Sequence, residues 1–411
     1  MAMSDYLCFT AQEANSTITL NQRGTVDWTG SYSTDNKNWS TYTLETKLTL
    51  ANIGDKVYFK GTWSEETYGF YLYYTMTGKI AASGNINSLH YESDFATRTK
   101  LDYTSEYCNL FNCCTSLTQA PELPAITLIE RCYESMFGGC TSLTQAPKLP
   151  ATTLAYGCYG AMFDGCTSLI QPPELPATTL IERCYNSMFS NCTSLIQAPE
   201  LPATTLANSC YISMFYGCTS LTQAPKLPAT TLAYGCYFYM FYNCTSLTQA
   251  PKLPATTLAI QCYFYMFYNC TSLTQAPKLP ATTLAKFCYD NMFSNCTSLT
   301  QPPELPATTL ANDCYSSMFY NCTGIKLSTT QTEEYNLPYI IPSSGTGTIG
   351  ENSLQNMFDS TGGTFTGTPN INTTYYMCIP ASSALNIKYG EISIEKVYLG
   401  TTEITDFHYG E

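Results

Sequence analysis

The sequence predicts a repeat solenoid of 26-residue units, each with one short helix and a short extended segment, flanked by all-β modules. Three observations carry that prediction. Cysteines recur at 114, 140, 166, 192, 218, 244, 270, 296 and 322, and again at 132, 158, 184, 210, 236, 262, 288 and 314, with no insertion or deletion. The stretch CYFYMFYNCTSLTQAPKLPATTLA starts at Cys236 and repeats letter for letter from Cys262. Residues 1–78 follow a different rule, alternating in Leu7 and Phe9, Ile18 and Leu20, Val57 and Phe59, and Phe70, Leu72, Tyr74 and Met76. A fixed period of about 20–50 residues marks stacked repeats, and two-residue alternation marks half-buried strands.

Within one unit, Cys132, Tyr133, Met136, Phe137 and Cys140 stand at i, i+1, i+4, i+5 and i+8. That spacing predicts a short helix with one apolar face, fraying at Gly138-Gly139. In the LTQAPKL that follows, Leu143, Ala146 and Leu149 are the inward candidates. Pro147 and Pro150 hold this part extended and oppose a regular interior strand, so one or two sheet bridges per coil are expected. The ATTL segment turns back and Leu154 re-enters the core. One unit cannot bury its own stripe; stacked in register, each Cys, Tyr, Met, Phe and Leu covers its counterpart.

The same reading sets boundaries. Residues 1–78 form an antiparallel, sandwich-like β head, in which YSTDNKNWSTYTL makes a hairpin turn with Trp39 just past its tip. Residues 79–113 cap the stack, and the first unit is degenerate, with Glu106 in place of the first Cys. Residues 114–322 hold eight repeats. Residues 323–411 carry a worn-down unit around Met357 and Phe358, displaced by an insertion, a C-terminal cap and a terminal β-hairpin in EISIEKVYLGTTEITDFHYGE.

The runs MFGGCTSL, MFDGCTSL, MFSNCTSL, MFYGCTSL and MFYNCTSL resemble the BspA-type leucine-rich repeats of bacterial surface proteins, where a Gly-Cys or Asn-Cys step precedes "SL". The resemblance covers roughly residues 107 to 324. It departs in the 26-residue unit and in LxxAPxLP where LxxIxIP is usual. It implies a leucine-rich-repeat-like horseshoe or rod with display and adhesion roles, and no catalytic residues. With its flanks, the chain also resembles modular proteins of gut bacteria and their phages.

Composition narrows the partners. The net charge is −13 and only 12% of the 411 residues are charged, which argues against nucleic acid, whose phosphates require an excess of lysine and arginine. No apolar run approaches the ~20 residues of a membrane span, and MAMSDYLCFTAQEANST shows no secretion signal. Of 21 cysteines, 17 occupy the two repeat positions, as a small hydrophobe does. Buried free thiols are therefore favoured over ladder disulfides or a metal site, since there is no CxxC and histidine occurs only at 90 and 408. No Walker loop, HExxH or GxSxG appears. A non-enzymatic protein without cofactor or metal is expected.

Variation among units locates the candidate site. The residues between "CY" and "MF", and those just after "MF", point away from the predicted stripe as one exposed ridge. They are mostly small or polar, but Phe238, Tyr239 and Tyr242 are followed one coil later by Phe264, Tyr265 and Tyr268, with Tyr216 and Tyr320 extending the pattern. Such a patch of several hundred Å² marks a binding surface, and flat rings with hydroxyls suit a cell-surface glycan or protein. Contact within the chain or with a homo-oligomer partner is the competing account, and drift among duplicated units a third. A second variable row, Glu122, Lys148, Glu174, Glu200, Lys226, Lys252, Lys278 and Glu304, reads as a solvated edge before it reads as an anion site. The sequence thus favours a phage tail or virion-associated receptor-binding protein located in the virion. The alternatives are a bacterial cell-surface adhesin and a structural spacer with an aromatic assembly interface.

Overall fold

The computed structural model describes residues 5–63 and 71–378, and the backbone of 387–389, 392–394, 398–399 and 402–403. Phe70 and His408 lie outside the described residues.

The period-two segments are strands: β1 (Leu7–Ala11), β2 (Ser16–Arg23), β3 (Trp28–Ser33), β4 (Ser40–Tyr42), β5 (Leu48–Leu50), β6 (Lys56–Trp63), β7 (Tyr71–Thr77) and β8 (Ile80–Ser83). They form two sheets, β5-β2-β7 and a larger one that runs β4-β3-β6-β1-β8. The alternating residues meet between them: Phe9 and Phe59 from the larger sheet contact Tyr74 from the smaller at 4.8 and 5.6 Å between ring centroids. The β3–β4 turn is the expected hairpin, and the Asp35 carboxylate accepts hydrogen bonds from the Lys37 and Asn38 amides within it.

The larger sheet passes directly into the repeats. β8 pairs in parallel with β9 (Leu117–Gln119) of the first unit. Tyr74 stacks on Phe111 at 5.3 Å, and the Tyr74 amide donates to the Leu110 carbonyl. The head thereby presents a ring and a backbone edge with the geometry of one more coil.

The predicted two-turn helix is not formed; among the described residues the only helical segment is a 3-10 turn at Ile86–Leu89. A chain of tight turns replaces it in every unit. The amides of Cys132, Glu134, Met136, Gly138 and Cys140 each reach back three residues, at 3.0–3.3 Å. The intervening amides of Arg131, Tyr133, Ser135, Phe137 and Gly139 donate to the next coil, to the carbonyls of Tyr156, Cys158, Gly160, Met162 and Asp164, at 2.7–3.0 Å. An α-helix would send every one of these amides to a carbonyl four residues back. Here half of them serve as the bond between coils, so the backbone is satisfied only in the stack.

The geometry requires a left-handed residue every fourth position, as at Arg131, Ser135 and Gly139, with φ of 52°, 52° and 68°. The last of the three is Gly or Asn in all eight units, from Gly139 to Asn321, the two residue types that adopt this conformation most readily. The Gly-Cys or Asn-Cys step is thus a backbone requirement of the chained turns and not a frayed helix end.

Side chains follow the backbone register. Tyr107 to Tyr315 form one buried column of rings 5.5–5.9 Å apart. Phe111 to Phe319 form a second, which continues to Phe358. Leu143, Leu149 and Leu154 are buried as expected, whereas Ala146 is only half-buried and Ala151 takes the inward place. Single parallel bridges join successive coils at the Gln and Thr rows, such as Gln197 to Gln223 and Thr257 to Thr283.

The repeat cysteines are buried free thiols. From Cys140 to Cys322 each sulfur of that series reaches the phenylalanine carbonyl of the preceding coil, Cys218 Sγ donating to Phe189 O at 3.0 Å. Burial pushes the Cys218 thiol up to about 12, so it keeps its proton and goes on donating. Cysteine suits this place because it is small, apolar and a weak donor.

Where the first unit departs from the repeat, the structure shows the reason. The Glu106 side chain is fully buried, with Oε2 accepting from Tyr91 Oη at 2.7 Å and from the amides of Asp102 and Tyr103, and with Oε1 3.3 Å from His90 Nδ1. The His90 ring lies flat on Tyr107 at 4.7 Å and so heads the tyrosine column.

Past the repeats, β10 (Leu327–Ser328), β11 (Tyr335–Ile340) and β12 (Thr374–Cys378) form an antiparallel sheet in the order β10-β12-β11. The worn-down unit is present: Phe319 stacks on Phe358 at 5.4 Å and the Ser317 amide donates to Gln355 O. The described tail backbone pairs as two short hairpins, β13 (Ile387–Tyr389) with β14 (Ile392–Ile394), and β15 (Tyr398–Leu399) with β16 (Thr402–Glu403).

Candidate binding site on the aromatic coils

All six aromatics singled out in the sequence come together, but they are half-buried and not a fully exposed ridge. Stacking is the cause. Phe238 lies over Phe264 at 5.0 Å, Tyr239 faces Tyr265 at 5.2 Å, and Tyr242 lies over Tyr268 at 4.6 Å. Each coil is also cross-linked internally, Phe238 to Tyr239 at 4.3 Å and Tyr239 to Tyr242 at 5.3 Å, both edge-on. Tyr216 continues the outer column at 4.8 Å from Tyr242, and Phe287 meets Phe264 edge-on at 6.1 Å.

Tyr239 and Tyr265 occupy the left-handed turn position, with φ of 56° and 54°. The equivalent residue in other units is Ser135, Ala161, Ser187, Ser213, Asn291 or Ser317. A bulky side chain costs more there than a small one, so the cluster is held against a local backbone preference.

Beside the cluster lies an open groove of about 440 Å³, lined by Tyr239, Tyr242, Tyr265, Tyr268, Asn291, Ser317, Tyr320 and Asn356. Four of these, Tyr239, Tyr265, Asn291 and Ser317, share one repeat position in successive coils. Asn291, Ser317 and Asn356 were not among the sequence candidates. The first two could have been found by following the tyrosine position onward; Asn356 could not, because the insertion breaks the 26-residue count before it. None of the eight lining side chains carries a formal charge at neutral pH.

Asp290 sits at the repeat position of Phe238 and Phe264 and is buried, its Oδ1 accepting from Asn291 Nδ2 at 2.6 Å. Burial raises its pKa to about 7; the Asn291 bond opposes that rise and the negative charge of Asp313 adds to it. A carboxyl whose folded value lies above its unfolded value stabilises fully below about pH 4, and that contribution is lost as the pH climbs through 7. Asp290→Asn is therefore expected to raise stability above pH 7 by on the order of 2 kcal/mol and to leave it nearly unchanged at pH 4. Urea unfolding of both proteins at the two pH values checks this; equal differences at both would show that ionisation of Asp290 carries no cost.

Two further grooves, of about 620 and 660 Å³, lie along the proline-containing edge and include Lys252 and Lys278. Both lysines are exposed, and screening leaves exposed charges little to offer a ligand. Among the described residues no three His, Cys, Asp or Glu side chains converge in a way that could hold a metal, and no helix is long and apolar enough to cross a membrane.

The chained turns, the Gly/Asn-Cys step and the leucine positions agree with the comparison of the chain to known families. The BspA type Leucine rich repeat region matches in six copies, over residues 104–231, 134–260 and 214–386. The chain belongs to the BspA-type leucine-rich repeat family. No curated protein and no solved structure matches it. BspA-type repeats are typically non-enzymatic binding scaffolds of surface- or adhesion-type proteins. The full set of six aromatics is confined to two coils; the other units keep the backbone with mostly smaller residues, such as Ser135, Ala161 and Ser187, at the left-handed position.

Proposed function

We propose that the protein is a non-enzymatic surface-recognition protein whose stacked repeats act as a rigid solenoid scaffold and whose aromatic coils touch the partner, a cell-surface glycan or protein. On this reading residues 1–78 are the head, 79–113 the cap, 114–322 the eight repeats and 323–411 the tail. The observation that supports it most is the joined cluster of Phe238, Tyr239, Tyr242, Phe264, Tyr265 and Tyr268, bordering a groove and holding two tyrosines at positive φ. The turn itself does not need the rings, because Ser135, Ser187, Ser213 and Ser317 form it at the same position in other units. The carrier that suits the modular resemblance is a phage tail or virion, and the alternative is a bacterial surface of the same repeat family.

The test is binding of the labelled, intact protein to a panel of gut bacterial cells, beside a Tyr239→Ser/Tyr265→Ser variant. Serine stands at this position in four other units, so the variant keeps the fold. Strain-selective binding that drops at least tenfold in the variant is expected. Binding that survives moves the contact to the β head. No binding to any strain, with a change of oligomer size in the variant, makes the cluster an assembly interface.

A further inference from the structure

The outer tyrosine column has a missing rung. Tyr216, Tyr242 and Tyr268 stack at 4.8 and 4.6 Å. The next residue in that column is Ser294, and the one after it is Tyr320. Ser294 is fully buried and its hydroxyl is spent inward, on Ser317 O at 2.6 Å and Asn291 Oδ1 at 3.0 Å. The coil that lacks a ring therefore has a sealed floor, and Tyr268 and Tyr320 are the rings of the coils on either side of it. Both line the groove described above, together with Asn291 of the coil between them.

We propose that this gap holds a single neutral pyranose ring of a glycan, sandwiched between Tyr268 and Tyr320 where the column would otherwise carry its own tyrosine. The proposal rests on the surface-recognition reading above and adds the ligand class and the place.

Three features select a sugar over other flat guests. A pyranose presents C–H faces to aromatic rings, as the column's own spacing accommodates. Its rim of hydroxyls both donates and accepts, and so do the tyrosine and serine hydroxyls and the asparagine amides of the lining. Asn291 is held in place by its own chain, its amide nitrogen donating to Asp290 and its oxygen accepting from Ser294, which leaves the second N–H of the amide for a guest. An aromatic side chain from a peptide offers at most one hydroxyl to this polar lining, where a sugar offers several. The uncharged lining gives no anchor to a phosphate or an acidic sugar.

The experiment titrates the intact protein with methyl glucoside, galactoside, mannoside and N-acetylglucosaminide, read by saturation-transfer NMR, with phenylalanine amide as the competing aromatic probe. Ser294→Tyr restores the rung that four other units carry, and gives up the Ser294 hydrogen bonds to Ser317 and Asn291. Tyr320→Ser removes one wall, and serine occupies that position at Ser190 and Ser294. At least one pyranoside is expected to saturate the wild-type protein and to bind about tenfold or more weakly to each variant, both variants being folded at the titration temperature by circular dichroism. No saturating pyranoside, equal titration of wild type and Ser294→Tyr, or preference for phenylalanine amide over every sugar would overturn the proposal. The cell panel separates the two readings: Ser294→Tyr binding cells normally while Tyr239→Ser/Tyr265→Ser does not leaves the surface-recognition reading standing and removes the slot.

Discussion

Glu106→Ala lowers the stability of the cap end of the stack by about 3–5 kcal/mol. The carboxylate is enclosed, and its two oxygens are the shared acceptors of Tyr91 Oη and two backbone amides and the neighbour of His90 Nδ1. Alanine leaves the buried Tyr91 hydroxyl and His90 ring without that acceptor, loosens the Asp102 and Tyr103 amides, and opens a cavity where the buried side chain stood. The effect spreads because the His90 ring is the first member of the tyrosine column, and each coil offers its backbone partners only while its neighbour is in place. Glu106→Gln keeps the volume and one acceptor oxygen and is expected to lose about half as much. Urea unfolding followed by Trp63 fluorescence reads the change locally, since its ring lies 4.7 Å from that of His90. A loss below about 0.5 kcal/mol, the ordinary size for an uncoupled substitution, would show that the buried acid does not fasten the cap.

Phe189→Ala in the middle of the stack is expected to cost a similar 3–5 kcal/mol, the usual range for removing a buried phenylalanine. Phe189 is fully buried and stacks on Phe163 at 5.6 Å and on Phe215 at 5.8 Å. Its loss interrupts the column where neither end of the chain can repack it. In a stack governed by nearest-neighbour contacts the damage should stay local and not spread evenly. Hydrogen exchange is expected to quicken first at the inter-coil amides of residues 163–215, while the amides of the head and of the coils near Phe319 keep their protection. Uniform acceleration along the whole chain would show that the repeats unfold as one cooperative unit and would refute the nearest-neighbour description.

Much of this molecule was legible before its structure. The 26-residue period named the counterparts that stack, and Cys132, Tyr133, Met136, Phe137 and Cys140 were correctly placed inward with their equivalents. The alternation in Leu7, Phe9, Val57 and Phe59 gave the head strands, and proline in LTQAPKL foretold bridges in place of a ladder. The helix was misread for a definable reason. A helix advances 100° per residue, so a strict four-residue period drifts by about 40° per step, too little to notice over the nine residues from Cys132 to Cys140. The recurring Gly or Asn before each second Cys was the sign of a left-handed residue.

The candidate site divides in the same way. The six aromatics were visible because they break the repeat, and the sequence could say that neighbouring coils bring them together. Their half-burial was not visible, because it comes from ring lying on ring across a distance of 26 residues. The groove was hidden too, since it draws on Asn291 and Ser317, which look like ordinary repeat residues, and on Asn356, which an insertion moves out of register.

The sequence by itself determined which side chains face inward, which coil follows which, and where the pattern is broken. Only the tertiary structure decided the path of the backbone. Every second amide in the turn chain finds its acceptor on the next coil, as Tyr133 does on Cys158, and no local stretch of residues contains that partner.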